Sequence, residues 1–298
     1  MKKQIRQSQK VVQYEKEKRI PEMAADFCSG DSDSRNDSLG SEKSTLPDLS
    51  SMGETAAILR EEGSGTRAEF ETLLKLPDSD WGTVADSTKA VLVKVQEDKN
   101  AIGYVAYSSV SDDIEEKILQ VDGVLPSEES ISKDSYPLCR DYYLAYDGEL
   151  TEVERDFITY VMTKGQDIVK DYCVPVKNTV TFLSDKSKGT IRIEGSTSME
   201  AMINSLAEDY EKENPNAEIE VKATDSSRGL TASISGSCDL AMSSRELKDY
   251  EAELLETKSI GRDAIAIVVN KENPVDNLTA KQIAKIYSGE CKKWADLN

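Results

Sequence analysis

The feature that most constrains this chain is a turn that recurs four times: a short apolar strand, a run of serine, threonine or glycine, then a helical or capping pattern. Ala56-Ala-Ile-Leu59 runs into Arg60-Glu-Glu-Gly-Ser-Gly-Thr66, and Thr190-Ile-Arg-Ile193 into Glu194-Gly-Ser-Thr-Ser198. Ala217 to Val221 leads to Asp225-Ser-Ser-Arg-Gly229, and Asp239-Leu-Ala-Met242 to Ser243-Ser-Arg-Glu246. Behind the first loop, Phe70, Leu73 and Leu74 have helical spacing; behind the second, Met199, Met202, Ile203, Leu206 and Tyr210 do. Strands and helices in alternation put the chain in the α/β class.

The rest of the pattern agrees. Trp81 to Val95 contains a helix, Ala101 to Tyr107 a strand and Val121-Asp-Gly-Val-Leu-Pro126 a turn. A helix over 151–172 carries Val153, Phe157, Tyr160, Val161 and Ile168 on one face. Ala264 to Val269 has the length of a buried strand, and Thr279 caps a helix through Ile286. Thr66-Arg-Ala-Glu69 and Ser243-Ser-Arg-Glu246 both have the form of a capping box. Residues 1–27 read as a polar helix, 28–54 have a disordered composition, and 173–188 read as a connector. The polar stretch Gln4 to Arg19 follows Met1-Lys-Lys where a signal peptide would be apolar, so no signal peptide is read.

Composition narrows the chemistry. The chain has no histidine, which excludes Ser-His-Asp and Cys-His triads and every zinc site that uses histidine. Its five cysteines (Cys28, Cys139, Cys173, Cys238 and Cys291) show no C-x-x-C spacing and read as small hydrophobes. No metal or other cofactor is expected. A formal charge of −19 repels nucleic acid and anionic membrane over most of the surface. Any anion site must therefore be local.

The hydroxyl loops can supply one. Glycine lets a backbone approach a ligand closely, hydroxyls donate to oxygen, and helix N-termini add partial positive charge. Arg60 would add a permanently charged fork; alternatively it is a surface ion pair with Glu61 or Glu62. A hydroxyl at an N-cap can equally serve only its own helix. The P-loop pattern and Gly-x-Ser-x-Gly are both missing, which argues against nucleotide hydrolysis of that type and against a serine hydrolase.

Arg60-Glu-Glu-Gly-Ser-Gly-Thr66, Ala101-Ile-Gly-Tyr104, Gly195-Ser-Thr-Ser198, Ser243-Ser-Arg-Glu246 and Ile286-Tyr-Ser-Gly-Glu-Cys-Lys-Lys-Trp294 together resemble the phosphate-binding proteins of ABC phosphate importers. The resemblance covers about residues 56–298. It implies a two-lobed, type II periplasmic-binding-protein-like α/β fold that closes on inorganic phosphate, and a membrane ABC permease as partner. It also implies binding without catalysis and an extracytoplasmic location, at the periplasm or cell surface. The implied ligand contacts are Thr197, Ser198 and Ser226 from one lobe and Arg60, Ser64, Gly65 and Thr66 from the other. Ser244 stands where some members carry an aspartate that accepts the proton of bound phosphate and rejects sulfate.

The order of the motifs departs from the family. The half at about 56–175 corresponds to the family's second half and precedes the half at about 189–298. This implies either a circular permutant or a piece cut from a tandem array, with possible half-domain exchange between chains. As one domain, residues 56–119 with 264–298 would form the lobe of the Arg60 loop. Residues 120–263 would form the lobe of the Gly195 loop, with connector 173–188 and a polar tail over 1–55. The competing functions are binding of another oxyanion (sulfate or molybdate), a phosphatase, and a truncated or regulatory fragment without a transport role.

Overall fold

The computed structural model describes residues 46–76, 81–110, 116–176 and 180–297. The polar helix read over 1–27, the stretch 28–45 and Cys28 lie outside these residues. Among them the chain order begins with β1 (Ala56–Arg60), α1 (Gly65–Leu74), β2 (Thr83–Ala85), α2 (Thr88–Glu97) and β3 (Ala101–Ala106). It continues with β4 (Glu116–Ile118), β5 (Gln120–Val121), α3 (Glu128–Ser132), β6 (Cys139–Asp147), α4 (Glu152–Val161), α5 (Gln166–Val169) and β7 (Val174–Pro175). Then come β8 (Gly189–Ser196), α6 (Glu200–Glu213), β9 (Ala217–Thr224), α7 (Ser226–Ile234), β10 (Leu240–Ser243) and α8 (Asp249–Ala252). The last elements are β11 (Leu255–Asn270), β12 (Asn277–Leu278) and α9 (Ala280–Tyr287).

Eight of the described strands follow the order β2-β1-β3-β11-β6-β10-β8-β9, with β4 and β7 joined to β11. The pairs β1–β3, β8–β9 and β8–β10 are parallel, as strand–helix–strand units require. The 16-residue β11 holds the sheet together. Its first part, Leu255 to Ala264, pairs with β6, and its second, Ile265 to Val269, pairs with β3. The handover falls beside Leu138 and Cys139, where Ile265 N donates to Leu138 O at 2.8 Å. Two chain segments thus cross between two lobes at one level.

Each lobe has its own apolar interior. In one, Phe70, Tyr104, Tyr287, Ile267 and Trp294 cluster on one face of the sheet, and Val91, Val95, Val105 and Val268 on the other. Phe70 stacks on Tyr104 at 4.0 Å between ring centroids, and Tyr287 meets both rings edge-on. In the other lobe, Phe157, Tyr160, Ile193, Met202, Leu206 and Tyr210 form the main cluster. Val121, Ile131, Tyr136 and Leu138 pack in the first lobe's cluster. So does Leu49, fully buried within a stretch whose composition had read as tail.

Of the strands read from sequence, β1, β3 and β10 appear within one residue of their expected ends, β8 and β9 run three residues further, and the strand read at Ala264–Val269 is the second part of β11, which already begins at Leu255. The helix expected over 151–172 does not run through. It stops at Val161 and a shorter helix starts at Gln166. Gly165 N turns back to Tyr160 O at 2.8 Å, and a Cβ at Gly165 would lie 2.9 Å from Leu206 Cδ2. Packing on α6 forces the break there. Cys139, Cys173, Cys238 and Cys291 are buried free thiols, as small hydrophobes would be. Burial pushes Cys139 and Cys238 up to about 11.

Candidate functional site

The Arg60 loop is built from the end of β1. Tyr104 Oη, rooted in the aromatic cluster, accepts from Arg60 N at 3.0 Å and fixes the backbone there. Gly63 has a φ of +90°, which lets the chain reverse into α1. The helix cap is Ser64, whose side chain accepts from Arg67 N at 3.3 Å. Thr66 is therefore not the N-cap that the capping-box pattern implied. Its hydroxyl has other partners: Arg140 Nη1 donates to it at 2.8 Å, and Ser198 Oγ lies at 2.9 Å.

The opposite lobe supplies three loops whose hydroxyls are likewise released from capping. After β8, α6 begins behind Met199 with no side-chain cap, so Ser196, Thr197 and Ser198 face elsewhere. Ser196 Oγ donates to Ser244 Oγ at 2.9 Å, and Thr197 Oγ1 accepts from Arg60 Nη2 at 3.1 Å. Before α7, Asp225 is the cap, which leaves Ser226 Oγ to accept from Ser244 N at 3.2 Å. The Ser243 capping box is also corrected. No helix starts at Ser244, because Arg245 turns into the protein onto Glu251, at 2.7 and 2.9 Å, and α8 begins only at Asp249.

At Gly65 the lobes meet with no room for a side chain. A Cβ there would lie 2.2 Å from Ser226 Oγ and 2.7 Å from Ser244 Oγ, so only glycine fits. Beside it, Ser227 N donates to Gly63 O at 3.2 Å. All eight residues singled out from sequence thus come together: Arg60, Gly65, Thr66, Thr197, Ser198, Ser226 and Ser244 in one contiguous cluster, and Ser64 beneath it as cap. Arg60, Thr66, Ser226 and Ser244 are each 2% exposed or less.

Arg60 is paired, but not at the surface. Glu61 accepts from its Nε and Nη2 at 2.8 and 2.7 Å. The fork still reaches Thr88 Oγ1 and Thr197 Oγ1, each at 3.1 Å. A second buried guanidinium, Arg140, donates to Asp263 Oδ2 at 3.1 and 3.3 Å. Tyr142 Oη donates to the same oxygen at 2.6 Å, and Ser108 N to Oδ1 at 3.0 Å. Burial opposes the charge on Arg140, and Tyr142 with Asp263 outweighs it and holds the group protonated. A cleft of about 960 Å³ opens beside the cluster, lined from one lobe by Thr88, Lys89 and Ser108 and from the other by Tyr172, Thr197 and Ser198.

Sequence reasoning missed Thr88, Ser196, Arg140, Tyr142 and Asp263. Thr88 had a signal, since Asp86-Ser-Thr88 between β2 and α2 is a fifth strand–hydroxyl–helix turn. Arg140 and Asp263 had none, because each stands next to an opposite charge in sequence, Asp141 or Arg262, while its partner is 123 residues away. The arrangement offers hydroxyl and guanidinium donors in a buried cluster where both cations are already matched by carboxylates. None of the clustered serine and threonine hydroxyls bonds to a carboxylate that could serve as a base, among the described residues.

Two α/β lobes on one sheet, joined by crossing strands and meeting through loop hydroxyls, define the two-lobed binding-protein class. The profile of the PBP superfamily domain matches residues 36–164 and 181–298. Phosphate-binding protein PstS 2 of Streptococcus agalactiae serotype V is 35% identical over 264 residues, covering 84% of this chain and 89% of that protein. Phosphate-binding protein PstS 2 of Streptococcus pneumoniae serotype 4 is 33% identical over 258 residues, covering 82% and 88%. The crystal structure of a phosphate-binding protein of a phosphate ABC transporter from S. pneumoniae TIGR4 superposes with a TM-score of 0.67 at 32% identity, over 83% of this chain and all of that one. The chain belongs to the PBP superfamily and, within it, to the PstS-like phosphate-binding proteins.

Proposed function

We propose that this chain binds inorganic phosphate as the substrate-binding component of an ABC phosphate importer, delivering it to a membrane permease. The observation that carries the reading is the meeting of both lobes' loops in one donor cluster, with Gly65 seated against Ser226 and Ser244. The proposed ligand contacts are Arg60, Ser64, Gly65, Thr66, Thr197, Ser198, Ser226 and Ser244. A tetrahedral dianion entering between them exchanges hydroxyl–hydroxyl bonds for bonds to its own oxygens. Such charge-assisted bonds are about twice as strong as neutral ones. Motion about the crossing at Leu138–Cys139 and Ala264–Ile265 would admit the ion. The role is binding rather than catalysis, and turnover of a chromogenic phosphate ester would overturn that.

As read from sequence the lobes are 56–119 with 264–298 and 120–263, and 173–188, inside the second, is the connector that joins the old termini of a circular permutant. Residues 121–138 stay packed on the first lobe up to the crossing. Both loop sets come from one chain here; an exchange of halves between chains would rebuild the same cluster from two. Among the described residues no helix is long and apolar enough to cross a membrane. The extracytoplasmic location is part of the proposal, and fractionation of the native host tests it.

A second reading has a specific observation behind it. Ser244 presents a hydroxyl, which accepts or donates, so no carboxylate in the cluster demands a protonated ligand. Sulfate or molybdate would satisfy the same donors. Calorimetry with phosphate, sulfate, molybdate and buffer alone decides between them. Heat with phosphate is expected. No heat with phosphate rejects the proposal, and heat with none of the three leaves a folded fragment without a transport role.

A further inference from the structure

We propose that Arg140 is a positioning residue of the binding cluster: it fixes the Thr66 hydroxyl as a donor and, through it, turns the Ser198 hydroxyl toward the cleft. The inference rests on the phosphate-binding reading above. Arg140 is the second residue of β6, at the level where the chain crosses between lobes, and its side chain is 1% exposed. Asp263 and Tyr142 hold one side of it. From the other side Nη1 donates to Thr66 Oγ1 at 2.8 Å and to Ser244 O at 3.3 Å.

A guanidinium only donates, so Thr66 Oγ1 must accept from it. The other side-chain partner of Thr66 Oγ1 among the described residues is Ser198 Oγ, at 2.9 Å. The buried threonine hydrogen therefore points at Ser198. With its oxygen accepting from Thr66, the Ser198 hydrogen points away from Thr66, toward Thr88 Oγ1 at 3.4 Å and the cleft that both residues line. Without Arg140 both rotors could reverse and present lone pairs to an anion. The residue acts on ligand affinity without touching the ligand, and its own charge is matched by Asp263.

The test is a double-mutant cycle of Arg140→Lys with Thr66→Val, read by calorimetry with inorganic phosphate and by urea unfolding without ligand. Lysine keeps the charge but lacks the fork that spans Asp263 and Thr66. Each single variant is expected to weaken phosphate binding by about tenfold or more, the size of one hydrogen bond to a charged group. In the Thr66→Val background, Arg140→Lys should add less than about twofold. Equal losses in both backgrounds would mean that Arg140 is only structural and would overturn the proposal. If wild type binds no phosphate, the functional reading falls. The unfolding cycle then still judges the positioning, which additive losses would refute. Should Arg140→Lys fail to fold, Thr66→Ser must retain affinity that Thr66→Val loses; equal affinities overturn the inference.

Discussion

Substituting Gly65 with alanine should uncouple binding from folding. The new Cβ would sit 2.2 Å from Ser226 Oγ, against a floor of 3.0 Å for real Cβ contacts, a shortfall of 0.8 Å. Rotating Ser226 removes that contact but not the 2.9 Å approach to Ser226 Cβ, and Ser244 Oγ remains at 2.7 Å. Relief requires Ser226 to rotate and the lobes or the loop to give by a further 0.3 Å at Ser244 Oγ. Overpacking of this kind costs about 1–3 kcal/mol, which corresponds to roughly 5- to 150-fold in a binding constant. The clash lies between lobes, so each lobe's own interior is untouched. Alanine is also a better helix former than glycine by up to about 1 kcal/mol. Calorimetry with phosphate should show a dissociation constant raised within that range. Ligand-free thermal unfolding should shift by no more than about 4 °C, the equivalent of about 1 kcal/mol in a domain of this size. An affinity within twofold of wild type would refute the reasoning, because the bound form could not then seat Gly65 against Ser226.

Three further outcomes follow from the same geometry. Arg60→Ala should weaken phosphate binding by about 2–5 kcal/mol, since it removes a buried fork and leaves Glu61 facing the anion; an unchanged constant would remove Arg60 from the site. Thr197→Ala and Ser64→Ala should each weaken binding by about 1–3 kcal/mol. Only Ser64→Ala should also cost the protein about 1 kcal/mol in ligand-free unfolding, because Ser64 alone of the two caps a helix. The last concerns acid. Burial pushes the Glu251 carboxyl up, and the hydrogen bonds from Arg245 and Lys248 N outweigh it, leaving the group below its ordinary 4.5. A depressed carboxyl contributes stability that is fully present above 4.5 and lost as pH falls through the lower folded value. Melting temperatures of Glu251→Gln should therefore fall less steeply than wild type below that pH, and parallel acid limbs would count against the pair.

What could be read from sequence was what depends on neighbours in sequence. Apolar spacing and turn residues placed β1, β3, β8, β9, β10 and the second part of β11 but not β6, and the glycine and hydroxyl runs marked the loops of the candidate site except that of Thr88. The errors share one cause. Thr66 and Ser243 looked like caps because a hydroxyl followed three residues later by glutamate usually is one. Here Thr66 is captured by Arg140, 74 residues away, and the chain after Ser243 by the Arg245–Glu251 pair, whose partners are six residues apart in an irregular stretch. The break at Met162–Gly165 follows from packing on Leu206, which spacing within one helix cannot reveal. Leu49 sits between Leu46 and Met52 in an otherwise polar stretch, so composition hid its place in the core. Arg140 and Asp263 meet only because β6 and β11 run side by side.

The polar character of the meeting surface is what makes a two-lobed clamp workable. The buried aromatic and aliphatic groups lie within the lobes, where removing them from a core would cost about 3–5 kcal/mol per large side chain. Between the lobes, apart from the crossing strands, the close contacts are hydroxyls, guanidinium forks and backbone groups. Exchanging such a hydrogen bond for one to water or to a ligand changes the free energy by only about 0.5–1.5 kcal/mol. Opening the cluster therefore costs little, and an apolar seam would have locked it shut. The matched charges serve the same end. A chain of −19 carrying bare arginines in its cleft would draw its own carboxylates into it, whereas Glu61 and Asp263 already occupy Arg60 and Arg140 from behind. That leaves oriented donors, rather than net positive charge, to meet an anion.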